Sequence, residues 1–208
     1  MTHILITAGA TRNPLDAIRY LSAFSSGSTG VGLAAALSDA GLVTLLGSAE
    51  ACLRAGADTQ TEEFVSTRDL MARMERWVLA HPDGIVIHAA AVGDYEAAED
   101  DGEKIPSGQA ELIIRLRPTP KILDRIRDWS PAARIISFKA ASPETTDERL
   151  VEIAEAQRYR TGSTCVFANI IGRLQEGILL QRESGSEWHA TRSAALAALV
   201  VAVKTLTE

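Results

Sequence analysis

The chain of 208 residues is 46% hydrophobic and 23% charged, long enough for one well-packed domain and short for two. Its formal charge of -6 supplies no basic field for counterion release, so nucleic acid is not an expected partner and any affinity for anions must be local. The most apolar run, Ala194 to Val203, is well short of the roughly 18 residues of a membrane span, and Cys52 and Cys165 form no C-x-x-C pair, so a cytoplasmic protein with core thiols and no zinc site is expected.

The opening HILITAGAT reads as a strand, His3 to Thr7, running into a loop, without the charged start and long apolar run of a targeting segment. Next, the glycine-rich AFSSGSTGVGLAAAL, Ala23 to Leu37, leads into a helix at about Gly30 to Ala40. A strand at Val43 to Leu46 follows, then a helix at Thr67 to Ala80 started by Ser66 or Thr67, and a buried strand at Gly84 to Ala89 that ends in three alanines. The polar, aperiodic Glu96 to Ala110, with Asp100 and Asp101, reads as a mobile flap feeding the strand-like ELIIRLRP. Thr119 and Pro120, the latter at a first helical position, start a helix at Lys121 to Arg127. A strand at Arg134 to Phe138, a helix at Asp147 to Arg160 and a strand at Cys165 to Ala168 come next. The chain then offers an antiparallel hairpin around Ser184-Gly185-Ser186 and a buried helix at Ser193 to Thr205. This alternation predicts an α/β fold: one doubly wound, mainly parallel sheet with helices on both faces, an edge hairpin and a flap.

Two loops carry the first chemical signal. In TAGATRNPLDAIRY, Gly9 permits a tight turn after the first strand, and Arg12 and Arg19 are close enough in sequence to face one phosphate or carboxylate, or simply solvent. In the second loop, Ser25 to Gly32 brings hydroxyls and unhindered N–H groups to a helix N-terminus, where the macrodipole favours an anion; close packing is the alternative use of those glycines. The alanines after IVIH leave room for a ligand over the strand end, and Asp94 could accept from a ribose or base, help hold magnesium or cap a turn. His88 reads as a core histidine bonded to a carbonyl, and Lys104 on composition alone as a solvated lysine.

In order along the chain, LITAGATRNPLDAIRYLSAFSSGSTG, HAAAVGDY, EKIPS, PTPKIL, ISFKAAS and CVFANII resemble segments of the phosphopantothenoylcysteine synthetases, the ligase half of the coenzyme A flavoprotein family, particularly their stand-alone bacterial form. The resemblance implies a Rossmann-like fold, a homodimer, and a reaction in which Mg-CTP or ATP activates 4'-phosphopantothenate as an acyl-nucleotide that cysteine then attacks. Two phosphorylated ligands would need two anion-binding loops. The resemblance implies nucleotide contacts from Gly9, Ser26, Gly27, Gly30, Ala90, Asp94, Lys104, Phe138 and the helix start Pro120, Lys121, Ile122 and Leu123. It implies substrate contacts from Arg12, Arg19, Ala23 and Asn169, with Lys104 and Arg19 catalytic and no metal-ligating side chains assigned.

The chain also departs from the family. Ala23 stands where the family has a functional asparagine, Ser28 where a loop cation is common, and Ile170 where an aspartate is common. Family lysines are missing from AQRYRT, leaving Arg158 and Arg160 as substitutes for holding phosphate. Two other readings follow: a non-catalytic or altered-substrate nucleotide-binding relative, and an NAD(P)-dependent short-chain oxidoreductase, which lacks its Tyr-x-x-x-Lys pair.

Overall fold

A computed structural model describes residues 1–99, 102–173 and 175–207. In chain order the elements are β1 (His3–Ala8), β2 (Arg12–Pro14), β3 (Tyr20–Ser22), α1 (Ser28–Ala36), β4 (Leu42–Gly47), α2 (Ala49–Arg54), β5 (Gln60–Glu63), α3 (Thr67–Ala80), β6 (Ile85–His88), β7 (Tyr95–Ala97) and β8 (Leu116–Pro118). They continue with α4 (Ile122–Trp129), β9 (Arg134–Ala141), α5 (Asp147–Thr161), β10 (Cys165–Ile170), β11 (Ile178–Arg182), β12 (Gly185–His189) and α6 (Arg192–Thr207).

Eight strands form one sheet in the order β12-β11-β10-β9-β6-β1-β4-β5. From β5 to β10 neighbouring strands pair in parallel; β11 and β12 add antiparallel at one edge. The chain leaves β1 toward β4 and β5, then crosses back to build β6, β9 and β10 on the other side. The order therefore reverses between β1 and β6, where ligands of open α/β sheets bind at the carboxyl ends of the strands.

Alternation along β1 sends Ile4 and Ile6 to a core shared with Leu33 of α1 and Leu199 of α6, and Leu5 to a core shared with Leu70 of α3 and Ile126 of α4. All of these side chains are essentially excluded from solvent, each stabilising by about 1.5–3 kcal/mol. The sheet is thus covered on both faces, as expected for a doubly wound fold.

Several local readings are corrected. Pro120 is not at a first helical position: Lys121 is the N-cap of α4 and the helix begins at Ile122. Of ELIIRLRP only Leu116–Pro118 is strand, paired with β7 rather than with the main sheet. Glu96 and Ala97 belong to β7 and are buried, so the flap begins beyond them; Asp100 and Asp101 lie outside the described residues. Two short hairpin-like pairs, β2 with β3 and β7 with β8, and the polar edge strand β5 carry no apolar alternation that would reveal them.

Candidate functional site

The two glycine loops meet. Gly9 follows β1 with φ +89°, and Gly27 caps α1 with φ +74°, a backbone region that glycine enters without strain. A methyl group on Gly27 would lie 2.6 Å from Ala51 Cβ and 3.0 Å from Gly9 N, and one on Gly9 would lie 2.2 Å from Ser48 Oγ. Both loops therefore belong to one lip at the carboxyl end of β1. Above it, exposed Ser26 and Ser28 bring their hydroxyl oxygens to 2.5 Å; the N-cap Gly27 supplies no side-chain bond to α1, and the Ser28 N–H donates to Ser26 Oγ at 3.4 Å. Gly30, expected to touch nucleotide, instead is buried against β1, where a methyl would meet Ala8 Cβ at 2.5 Å; it serves close helix–strand packing.

Beside this lip lies a cavity of about 340 Å³ whose wall includes Arg12, Tyr20, Ala23, Ser26, Glu50 and Arg54. Arg12 is paired with Glu50 and stacks over the Tyr20 ring at 4.9 Å, while Arg54 donates to the Ser26 carbonyl at 3.0 Å. Arg54 and Glu50 come from the short α2, which Ser48 caps, and carry no motif that reading the sequence could single out.

Across the switch point, the loop after β6 is tied to the first loop by the backbone. Thr11 N donates to Ala91 O at 3.1 Å and Ala91 N to Gly9 O at 2.8 Å. His88 is a core histidine, as expected, but its Nδ1 lies 3.0 Å from the Thr7 hydroxyl rather than bonding a carbonyl; that hydroxyl accepts the Ala90 N–H at 3.0 Å. Burial depresses the His88 pKa to about 4, so the ring is neutral near pH 7.

Asp94 is set by a buried hydroxyl and amide cluster. Thr11 accepts from Gly93 N at 2.8 Å, Thr119 Oγ1 donates to Gly93 O at 2.6 Å, and Asn13 joins Thr67 N at 2.9 Å to the Tyr95 carbonyl at 2.8 Å. The Asp94 carboxylate, 68% exposed, meets Lys121 Nζ at 2.5 Å, so two candidate nucleotide contacts neutralise each other at the mouth. Ile122 points into the core, leaving only its backbone for a ligand, while Leu123 is half-buried.

Phe138 of β9 stacks on Phe167 of β10 with ring centres 4.9 Å apart. Arg192, at the start of α6, lies over Phe167 at 5.1 Å and donates to Thr29 Oγ1 at 3.0 Å, placing at the α1 terminus a cation that the sequence reading missed. Asn169 is buried at the carboxyl end of β10, and its amide nitrogen has no partner among the described residues. Arg158 and Arg160, the residues left in place of the missing lysines, are paired with Glu155 and Asp124 and sit in the last turn of α5, which leads into the amino end of β10, away from the carboxyl ends of the strands where the candidate site lies.

Arg12 and Arg19 do not converge. Arg19 pairs with Asp16 and donates to the Ile105 carbonyl at 3.3 Å, reaching the flap instead. Burial would raise the Asp16 pKa, but N–H bonds from Ile18, Arg19 and Ile105 and the Arg19 side chain overcome it, lowering the carboxyl to about 2. The base of the flap is fixed by Glu96, which accepts from Arg68 at 2.6 Å and Arg117 at 2.8 Å. Lys104 is exposed, and its ammonium makes no ion pair with a described residue.

The family described as DNA/pantothenate metabolism flavoprotein C-terminal domain matches residues 1–199. The chain is 33% identical over 168 residues to a coenzyme A biosynthesis bifunctional protein CoaBC of Thermococcus kodakarensis, covering 81% of this chain and 41% of that one. It is 32% identical over 185 residues to the protein of the same description from Escherichia coli K12, covering 84% and 42%. The chain thus spans about two-fifths of the length of these relatives. A crystal structure of the DNA/pantothenate metabolism flavoprotein from Streptococcus pneumoniae aligns over 99% of each chain with a TM-score of 0.87 at 22% identity, a likeness of fold.

Proposed function

The chain belongs to the DNA/pantothenate metabolism flavoprotein C-terminal domain family, and from that membership we propose that it is a phosphopantothenate-cysteine ligase of coenzyme A biosynthesis. The observation that supports the reading is the contact between the Gly9 and Gly27 loops at the carboxyl end of β1, next to the β1/β6 switch point, which makes one lip from two turns suited to receive an anion. In the proposed reaction a carboxylate oxygen of 4'-phosphopantothenate attacks the α-phosphorus of CTP or ATP, and diphosphate leaves. The cysteine amine then attacks the acyl carbon, loses a proton, and expels the nucleoside monophosphate.

Each part of the site has a role in that scheme. Ser26, Gly27 and Ser28 offer donors to phosphate at the α1 terminus, the lip at Gly9 and Ala90 takes the ligand's close approach, and Asp94, Lys121 to Leu123 and Phe138 surround the nucleoside. The cavity walled by Arg12, Ala23 and Arg54 is offered to the acyl substrate, with Asn169 a further donor. Lys104 supplies a movable charge to the transferring phosphorus, worth most when water is excluded. Magnesium would arrive on the nucleotide phosphates, where it would neutralise charge, while Asp94, paired with Lys121, stays with the nucleoside.

A homodimer is part of the proposal. Ile18, Tyr20, Phe24, Tyr95, Ile113 and Leu116 are exposed on or beside the two small strand pairs, which are joined through the Asn13–Tyr95 bond, and a second copy would cover them. Light scattering should give twice the chain mass at micromolar concentration; the mass of one chain would overturn the dimer.

The nucleotide part is tested by thermal shift with CTP, ATP, NAD and NADP, each with and without magnesium. A rise in midpoint with Mg-CTP or Mg-ATP is expected, and a response to NADP alone would overturn the reading. The second reading, a nucleotide-binding relative that does not ligate, is favoured by Ala23, a methyl group in the cavity where the family has an amide.

A further inference from the structure

We propose that Asp16 is a positioning residue that clamps the flap and thereby sets where Lys104 can reach. The proposal rests on the ligase reading for the role of Lys104, and on the geometry of the 15–19 turn for the clamp.

One carboxylate holds both sides of the contact. Asp16 Oδ1 accepts from the N–H groups of Ile18 at 2.9 Å and Arg19 at 2.7 Å, closing a turn of the Asx type. Its Oδ2 accepts from Ile105 N at 3.2 Å and from the Arg19 guanidinium, which also donates to Ile105 O at 3.3 Å. Both backbone polar groups of Ile105 are therefore engaged by the Asp16–Arg19 pair. On the other side of Lys104, the Glu103 carbonyl accepts from Ala17 N at 3.4 Å. Lys104 is the residue between two anchored neighbours, and its own side chain is left exposed.

A carboxylate is needed here because every surrounding group is a donor. Asp16 is buried, and four N–H bonds end on its two oxygens. An asparagine could keep the two turn bonds on its carbonyl oxygen, but its NH2 would face the Ile105 N–H and the guanidinium without being able to accept from either. Asp16→Asn therefore separates the turn from the clamp. Arg19 joins the flap through the same contact, so it acts on Lys104 through position before any contact of its own with substrate.

The test combines hydrogen exchange with a kinetic cycle on the full chain. In Asp16→Asn the Ile105 amide should exchange at least tenfold faster, while amides of β1 and β4 keep their wild-type rates. Turnover, read as diphosphate release at saturating Mg-CTP, 4'-phosphopantothenate and cysteine, should fall at least tenfold with the nucleotide Kd changed less than twofold. In a Lys104→Gln background the same substitution should slow turnover by less than twofold, because the group being positioned is already gone. Unchanged Ile105 exchange would overturn the clamp. An undiminished loss of turnover in the Lys104→Gln background would overturn its action through Lys104. A wild type that makes no product overturns the ligase reading and the catalytic half of this proposal with it, while the exchange measurement still decides the clamp.

Discussion

Gly27 packs directly on Gly9: a methyl group on Gly27 would come within 3.0 Å of Gly9 N and 2.6 Å of Ala51 Cβ. With φ at +74° the position also resists any L side chain. Gly27→Ala should therefore destabilise the fold by about 1–3 kcal/mol and push the two loops apart. Calorimetry should show a midpoint lower by several degrees, and nucleotide titration should show affinity at least tenfold weaker. An unchanged midpoint with unchanged affinity would mean the loops are not jointly constrained.

Lys104 has the opposite profile. It is exposed and makes no ion pair with a described residue, so Lys104→Gln should leave stability within about 0.5 kcal/mol. On its proposed role beside the transferring phosphorus, losing that charge should lower kcat about a hundredfold, corresponding to roughly 3 kcal/mol of transition-state stabilisation. Urea melts beside steady-state rates check both halves, and normal turnover would return Lys104 to an ordinary surface lysine.

Acid should weaken the fold in two stages with the same sign. His88 is depressed from 6.5 to about 4 by burial, so between those values the unfolded chain binds a proton that the folded chain does not. Its contribution is complete above pH 6.5 and lost as pH falls toward 4, by up to about 3 kcal/mol. Asp16, lowered from 3.8 to about 2, adds a second loss between those two values. Unfolding free energy measured from pH 7 to 4 should slope downward, and His88→Gln should flatten the upper part. A slope unaffected by that substitution would place the titrating group elsewhere.

Elements with an apolar run or an apolar face to bury were legible in the sequence. HILIT, IVIH and the runs around Ile135 and Phe167 are strands because each faces helices on both sides, and α3 was marked by its Ser66 cap. What could not be read was anything whose structure comes from a distant partner. β5 is polar and exists by pairing with β4, and β7 with β8 rests on Glu96 gripped by Arg68 and Arg117. In the site, the glycines and Asp94 stood out by type, but sequence proximity misled for Arg12 and Arg19, which take separate carboxylates. Asp16 and Arg192 carry no signal in the sequence, because an aspartate in a turn and an arginine at a helix start are ordinary until the residues they touch are known.

Ala23 lies exposed on the wall of the 340 Å³ cavity near Ser26, where the space admits a larger side chain. If an amide there stabilises the activated acyl group, its absence costs about 1–3 kcal/mol, or roughly ten- to a hundredfold in rate. Ala23→Asn should therefore accelerate the wild-type chain at saturating substrates, with nucleotide affinity unchanged. A slower variant would show that the cavity is already fitted to alanine, with donors such as Arg12 or Arg54 in the amide's place.

In the proposed reaction this chain joins 4'-phosphopantothenate to cysteine at the expense of a nucleotide. The most direct measurement incubates the purified protein with 4'-phosphopantothenate, cysteine and Mg-CTP, and in parallel Mg-ATP, following diphosphate release and the mass of the amide product. Stoichiometric diphosphate and phosphopantothenoylcysteine, both requiring all three substrates, are the expected result. Nucleotide binding without either product, in the wild type and in Ala23→Asn alike, would contradict that reaction.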